Sequence, residues 1–209
     1  MSNSPFARMS SRSRWAPWPA CGRFLLTLLT SLTLLASPPA LAAHPHDKAG
    51  TALAQQRAVK AAFLYKFLSY AEFPPHAFSD AGAAFVIGIE GADDMALEVG
   101  RIVSGRAING RPISVRVLHE GEAAPPIHLL FVAGVDSAKV ARILRQWSPA
   151  PILLVSECGH GLQAGSTINF KVIERHVRFE VSLDAADRSN IKLSSRLLSV
   201  ANHVSKGVP

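Results

Sequence analysis

Three stretches of this chain run apolar without polar alternation: Phe85-Val86-Ile87-Gly88-Ile89, Leu129-Leu130-Phe131-Val132-Ala133 and Ile152-Leu153-Leu154-Val155. A strand with one wet face alternates, whereas a strand covered by helices on both faces does not, so these runs predict buried strands of a mostly parallel sheet. The spacing around them predicts strands over 84–90, 113–118, 128–133 and 151–156, with amphipathic helices over 94–103 and 137–147. Strands that alternate with helices in this way predict a three-layer α/β/α sandwich. Asp93 and Asp136 stand at the expected N-caps, where a short side-chain oxygen accepts from the free amides of the first turn.

On either side of this block the period changes. Leu53, Ala58, Ala61, Ala62, Tyr65 and Leu68 recur at helical spacing from residue 52, until Pro74 and Pro75 stop the helix. Its second half, with Phe63, Leu64, Tyr65, Phe67, Leu68, Tyr70 and Phe73, has few polar gaps and predicts burial nearly all round. Segments 167–173 and 176–183 flank Glu174-Arg175 and predict a hairpin. In its second strand Val177, Phe179, Val181 and Leu183 share one face, and Arg178, Glu180, Ser182 and Asp184 share the other, which is expected to be wet. A last helix over 194–204, with Leu193, Leu197, Leu198 and Ala201 inward, is expected to close the domain.

The first 42 residues read differently. Arg8, Arg12, Arg14 and Arg23 stand without an acid ahead of the apolar run 24–36, which is too short to span a bilayer. Pro38 and Pro39 end that run, and Ala40-Leu41-Ala42 presents the small-x-small pattern of a signal-peptidase site, so the expectation is a cleaved leader, 1–42, and a periplasmic mature chain. A polar stretch, 43–51, reads as a disordered lead-in, and 52–205 as a single domain. The leader's four arginines account for most of the formal charge of +7, leaving +3 with scattered basic residues. That balance carries no nucleic-acid signature.

Candidate chemistry is sparse. Gly88-Ile89-Glu90-Gly91 lacks nucleotide-fingerprint spacing, and no Gly-Lys-Ser/Thr element exists. Cys158, the one cysteine outside the leader, can form no internal disulfide. With His160 in Glu157-Cys158-Gly159-His160-Gly161 it suggests a thiol nucleophile or half a metal site, but no orienting group or further ligand pair accompanies it, and a structural turn is the better reading. The chain is therefore expected to be no enzyme, with no metal and no cofactor. The positive signal is the polar row Arg178, Glu180, Ser182, Asp184, Asp187 and Arg188, either a solvated face or a recognition surface. A small-ligand pocket at the strand carboxyl ends near His160 and Asn169 is the alternative.

Three groups of segments carry a resemblance. Ala58-Val59-Lys60-Ala61-Ala62-Phe63-Leu64-Tyr65-Lys66-Phe67 runs on through Tyr70-Ala71-Glu72-Phe73-Pro74. His128-Leu129-Leu130-Phe131-Val132 is followed by Pro151-Ile152-Leu153-Leu154-Val155-Ser156 and Gly165-Ser166-Thr167-Ile168-Asn169-Phe170. Val177-Arg178-Phe179-Glu180-Val181-Ser182 is followed by Lys192-Leu193-Ser194-Ser195-Arg196-Leu197-Leu198. Together they resemble the YfiR-like family of periplasmic regulators. The resemblance implies a binding protein that restrains an inner-membrane diguanylate cyclase through the cyclase's periplasmic sensor region, lowering cyclic di-GMP and biofilm formation. An outer-membrane lipoprotein and a second copy of the chain are the further partners it leaves open. Ile127 stands where the family commonly has a cysteine, Phe73 where it has tryptophan and Ser182 where it has asparagine, so the family's redox-sensitive disulfide is not expected. Since Glu180 falls in the matched Phe179-Glu180-Val181, the resemblance points to Glu180, Asp184, Arg188 and Ser194 as the partner-facing set.

Overall fold

The computed structural model describes residues 45–119 and 126–207, so the leader and its cleavage site lie outside the described residues. Among the described residues eight strands form the main sheet, in the order β10 (His203–Ser205), β8 (His176–Ser182), β7 (Ile168–Ile173), β6 (Leu153–Ser156), β5 (Leu129–Val132), β2 (Phe85–Glu90), β4 (Arg111–Leu118) and β3 (Ala107–Ile108). Its middle consists of β2 (Phe85–Glu90), β4 (Arg111–Leu118), β5 (Leu129–Val132), β6 (Leu153–Ser156) and β7 (Ile168–Ile173), all parallel. Antiparallel partners stand towards its ends, β3 (Ala107–Ile108) on β4 and β8 (His176–Ser182) on β7. The expected mixed, mostly parallel sandwich is thus observed, and the apolar runs are its central strands.

Helices α1 (Pro45–Ser69) and α2 (Asp93–Val103) cover one face, and α3 (Ser137–Trp147) covers the other. Along α1 the residues Ala61, Leu64, Phe67 and Leu68 are buried, and Phe67 lies with its ring centroid 5.6 Å from Phe170 and 5.0 Å from Phe179. Tyr65 is half-buried, its ring 5.2 Å from the Arg106 guanidinium, and Ala62, Lys66 and Ser69 are exposed, so the aromatic half of α1 is buried on one side rather than all round. Asp136 caps α3 as expected, accepting from the Ala138 and Lys139 amides. Ala92, not Asp93, is the N-cap of α2; Asp93 and Asp94 enter its first turn, where negative charge complements the free amides.

Two boundaries differ from the sequence pattern. Helix α1 starts at Pro45, within the segment read as a lead-in, because proline suits a helix start and nothing before Pro74 forbids continuation. The last helix is short: α5 (Ser195–Val200) ends at Ala201 in extended backbone, and the chain continues as β10 (His203–Ser205), parallel to β8. Leu197 keeps the predicted inward face. What wins over helix continuation is the open edge of β8, whose Phe179 carbonyl accepts from the Asn202 amide. Two small elements also escape the pattern, helix α4 (Leu183–Arg188) and a ribbon in which β1 (Ala71–Glu72) pairs antiparallel with β9 (Lys192–Leu193). Among the described residues no helix is long and apolar enough to cross a membrane.

Candidate docking site

The hairpin β7–β8 turns through Glu174 and Arg175, both with left-handed φ (49° and 66°), a primed two-residue turn that matches strand twist. Its inner face, Val177, Phe179 and Val181, packs under α1. Among the described residues no helix lies over the outer face of β8, because α3 packs on that side over β5 and β6. Ser182 turns the chain into α4: its side chain is buried and accepts from the Ala185 amide, so one member of the expected wet row is a helix cap.

This outer face carries a cleft of about 360 Å³. Glu180 and Ser182 from β8, Asp184 and Arg188 from α4, and His203 and Ser205 from β10 line it. The register sets His203 beside Glu180 and Ser205 beside Ser182. Lys171 Nζ stands 3.9 Å from the Glu180 carboxylate and donates to the Gly159 carbonyl at 2.6 Å, tying the loop after β6 to this face. Asp184 accepts from the Gly207 amide at 2.9 Å. The cleft therefore offers two carboxylates, a guanidinium and an imidazole within one concave surface, an arrangement that recognises a charged partner.

Three of the four partner-facing residues expected from sequence, Glu180, Asp184 and Arg188, meet here. Ser194 does not: it caps α5 by accepting from the Leu197 amide, and its own amide donates to the Tyr70 carbonyl. Asp187 is exposed on α4 and outside the cleft. His203 was missed because it was assigned to the last helix, and Ser205 because it follows that helix. The alternation of Asn202-His203-Val204-Ser205 with its β-branched valine was the available signal.

The His160 and Asn169 pair does not form an open cavity. His160 is exposed, whereas Asn169 is fully buried and committed to structure. Its Nδ2 donates to the Cys158 carbonyl, and its Oδ1 lies 2.8 Å from Ser156 Oγ, which stands 2.9 Å from Ser166 Oγ. Ser156 has one proton; given to Asn169, it leaves the Ser156 oxygen to accept from Ser166. A Cβ on Gly161 would collide with Asn169 and Ser156, so glycine is required for the loop to close over this clamp. The Cys158 side chain is buried in the α3-side core, and among the described residues no group of three or more His, Cys, Asp and Glu is placed to hold a metal.

Elsewhere His128 is buried within a ring of Phe73, Phe78 and Phe85. Nδ1 accepts from the Val86 amide at 3.1 Å and Nε2 faces the Ala77 carbonyl at 3.1 Å, which assigns the neutral tautomer with the proton on Nε2. Burial pushes its pKa below the ordinary histidine value; the Ala77 carbonyl opposes this and nearby Arg111 adds to it. This histidine holds strands and turn together rather than facing a cleft.

No curated protein matches the chain. The family described as YfiR/HmsC-like matches residues 57–202, from the middle of α1 to the residue before β10, and so includes β8 and α4 of the cleft. Its members are associated with control of diguanylate cyclases rather than with catalysis. Through that match the chain belongs to the YfiR/HmsC-like family.

Proposed function

We propose that this protein works in the periplasm and restrains an inner-membrane diguanylate cyclase by docking its Glu180–Asp184–Arg188 cleft on the cyclase's periplasmic sensor region. The observation that carries this reading is the convergence of these three charged side chains, one from β8 and two from α4, on one concave surface. Family membership supports it, as does the leader pattern of residues 1–42. Restraint requires differential binding: the protein must favour the inactive conformer of the cyclase, because equal affinity for both conformers shifts nothing. Cyclic di-GMP itself is made on the far side of the membrane and never meets this chain.

The test is recovery of the cyclase from solubilised membranes with the wild type and with Glu180→Lys and Arg188→Glu. Both variants are expected to lose most of the cyclase, since reversing a charge sets like charges against each other across an interface. Undiminished recovery with both would move the docking surface elsewhere. Fractionation tests the compartment, with the chain expected among periplasmic contents and shortened at Ala42.

A further inference from the structure

A wider cleft, about 690 Å³, lies away from Glu180, between the middle turns of α1 and the end of the β7–β8 hairpin. Val59 and Phe63 of α1 and Val177 of β8 form its apolar floor. Val59 is 38% exposed, and Val172, paired with Val177 on the same face of the hairpin, is 49% exposed. Arg175, His176 and Arg178 stand on the rim with one acid, Glu174. Neither arginine has a carboxylate partner among the described residues.

A second property of this slot decides what fits it. Strand β10 pairs with β8 only from Glu180 to Ser182, and the Asn202 amide takes the Phe179 carbonyl. Beyond that point, among the described residues, the edge of β8 has no neighbouring strand. Because residues of an antiparallel strand alternate in the direction of their backbone groups, Val177 turns its N–H and C=O towards the same open side as Phe179. An apolar floor, a basic rim and open backbone groups together suit a peptide. A lipid tail would leave the backbone groups unmet. A second copy docked by a two-fold axis would bring Arg175 and Arg178 against their own images.

We infer that this slot is a second docking site, for a short segment of a protein partner whose apolar side chains are flanked by carboxylates. Apolar anchors sit on Val59, Phe63 and Val177, and the acids meet Arg175 and Arg178. The turn is consistent with that use. Asn-Gly is the usual occupant of two left-handed positions, and Glu174-Arg175 in its place sets a guanidinium at the mouth of the slot. The inference is independent of the cyclase reading, since the Glu180 cleft is lined by other residues.

The test is selection of displayed random peptides on the full protein, with Val59→Glu as the counter-selection, then fluorescence anisotropy of the enriched peptide. Selection is expected to yield apolar cores bordered by Asp or Glu. Val59→Glu and the Arg175→Glu/Arg178→Glu pair are each expected to weaken binding by about tenfold or more, and Glu180→Lys to leave it unchanged. Unaltered melting temperatures establish that the variants fold. Absence of enrichment over Val59→Glu, enrichment of basic or uncharged sequences, or binding that Glu180→Lys abolishes would overturn the inference. So would a wild-type dimer that Val59→Glu splits in sedimentation, which would give the slot to a second copy.

Discussion

The middle of the sheet and its C-terminal end differ in composition because they are covered differently: β5 reads LLFV, whereas β8 reads HVRFEVS. Strands β2, β5 and β6 lie between α1 and α2 on one face and α3 on the other, and Leu129, Leu130, Phe131 and Val132 are all fully buried. Strand β8 has α1 on one face only. Its inward residues Val177, Phe179 and Val181 are buried, while Glu180 and Arg178 reach solvent. One-sided cover is what leaves room for recognition: a charged row is affordable only where no helix must pack over it.

The strongest way to break this comparison is to weaken the cover that α1 gives the hairpin. Phe67 is fully buried against Phe170 and Phe179. Phe67→Ala is expected to destabilise the fold by about 3–5 kcal/mol in urea unfolding, through lost transfer energy and a cavity that strands cannot easily collapse. A loss under about 1 kcal/mol would mean that α1 contributes little to holding the hairpin.

The outer face of β7 shows how the missing helix is replaced there. Instead of a helix, the loop after β6 folds back, held by Asn169 to the Cys158 carbonyl and to Ser156. Asn169→Leu leaves a buried carbonyl and a hydroxyl without their partner, and is expected to cost about 1–3 kcal/mol. Faster amide exchange confined to the loop after β6 would localise the damage. Uniformly faster exchange across the sheet would instead assign Asn169 to the common core.

The middle strands carry a different weakness, in acid. His128 is buried neutral, with Nδ1 committed as an acceptor from Val86. Its folded pKa is lowered, so between the unfolded value near 6.5 and the folded value the unfolded chain binds the extra proton. This group's contribution is therefore fully present above about pH 6.5 and is lost as the pH falls through that value towards the folded pKa. Melting temperature should drop from pH 7 to pH 5, and His128→Asn, which does not titrate, should flatten that slope. An unchanged slope would show that other groups carry the acid sensitivity.

Legibility follows the same division. The runs FVIGI, LLFVA and ILLV announce the middle of the sheet because double cover leaves no polar position to blur them, and Asp136 marks the start of α3 unaided. Glu180, Asp184 and Arg188 could be picked from alternation and resemblance, since they lie on one short stretch of chain. The other wall of the cleft could not. His203 and Ser205 reach it only because β10 finds the open edge of β8, a non-local pairing that competes with a helical pattern running on from α5. Ribbon β1–β9 is too short for any period to show, and the role of Asn169 depends on a loop closing over it. Ser194 was drawn in by proximity along the chain and turned out to serve a helix end.

The smallest expected effect on stability is also the sharpest test of one-sided cover. Glu180 and Arg188 lie outside both cores, and Glu180 stands 3.9 Å from Lys171, a distance that gives little once water screens it. Glu180→Lys and Arg188→Glu should therefore shift unfolding by no more than about 0.5 kcal/mol. Docking on the cyclase, in contrast, should fall by about tenfold or more, because charge reversal at an interface adds repulsion to the lost attraction. The separation of the two readouts is the point. If either reversal lowers stability as much as Asn169→Leu does, the outer face of β8 is part of the fold's support, and its charges cannot be read as held free for a partner.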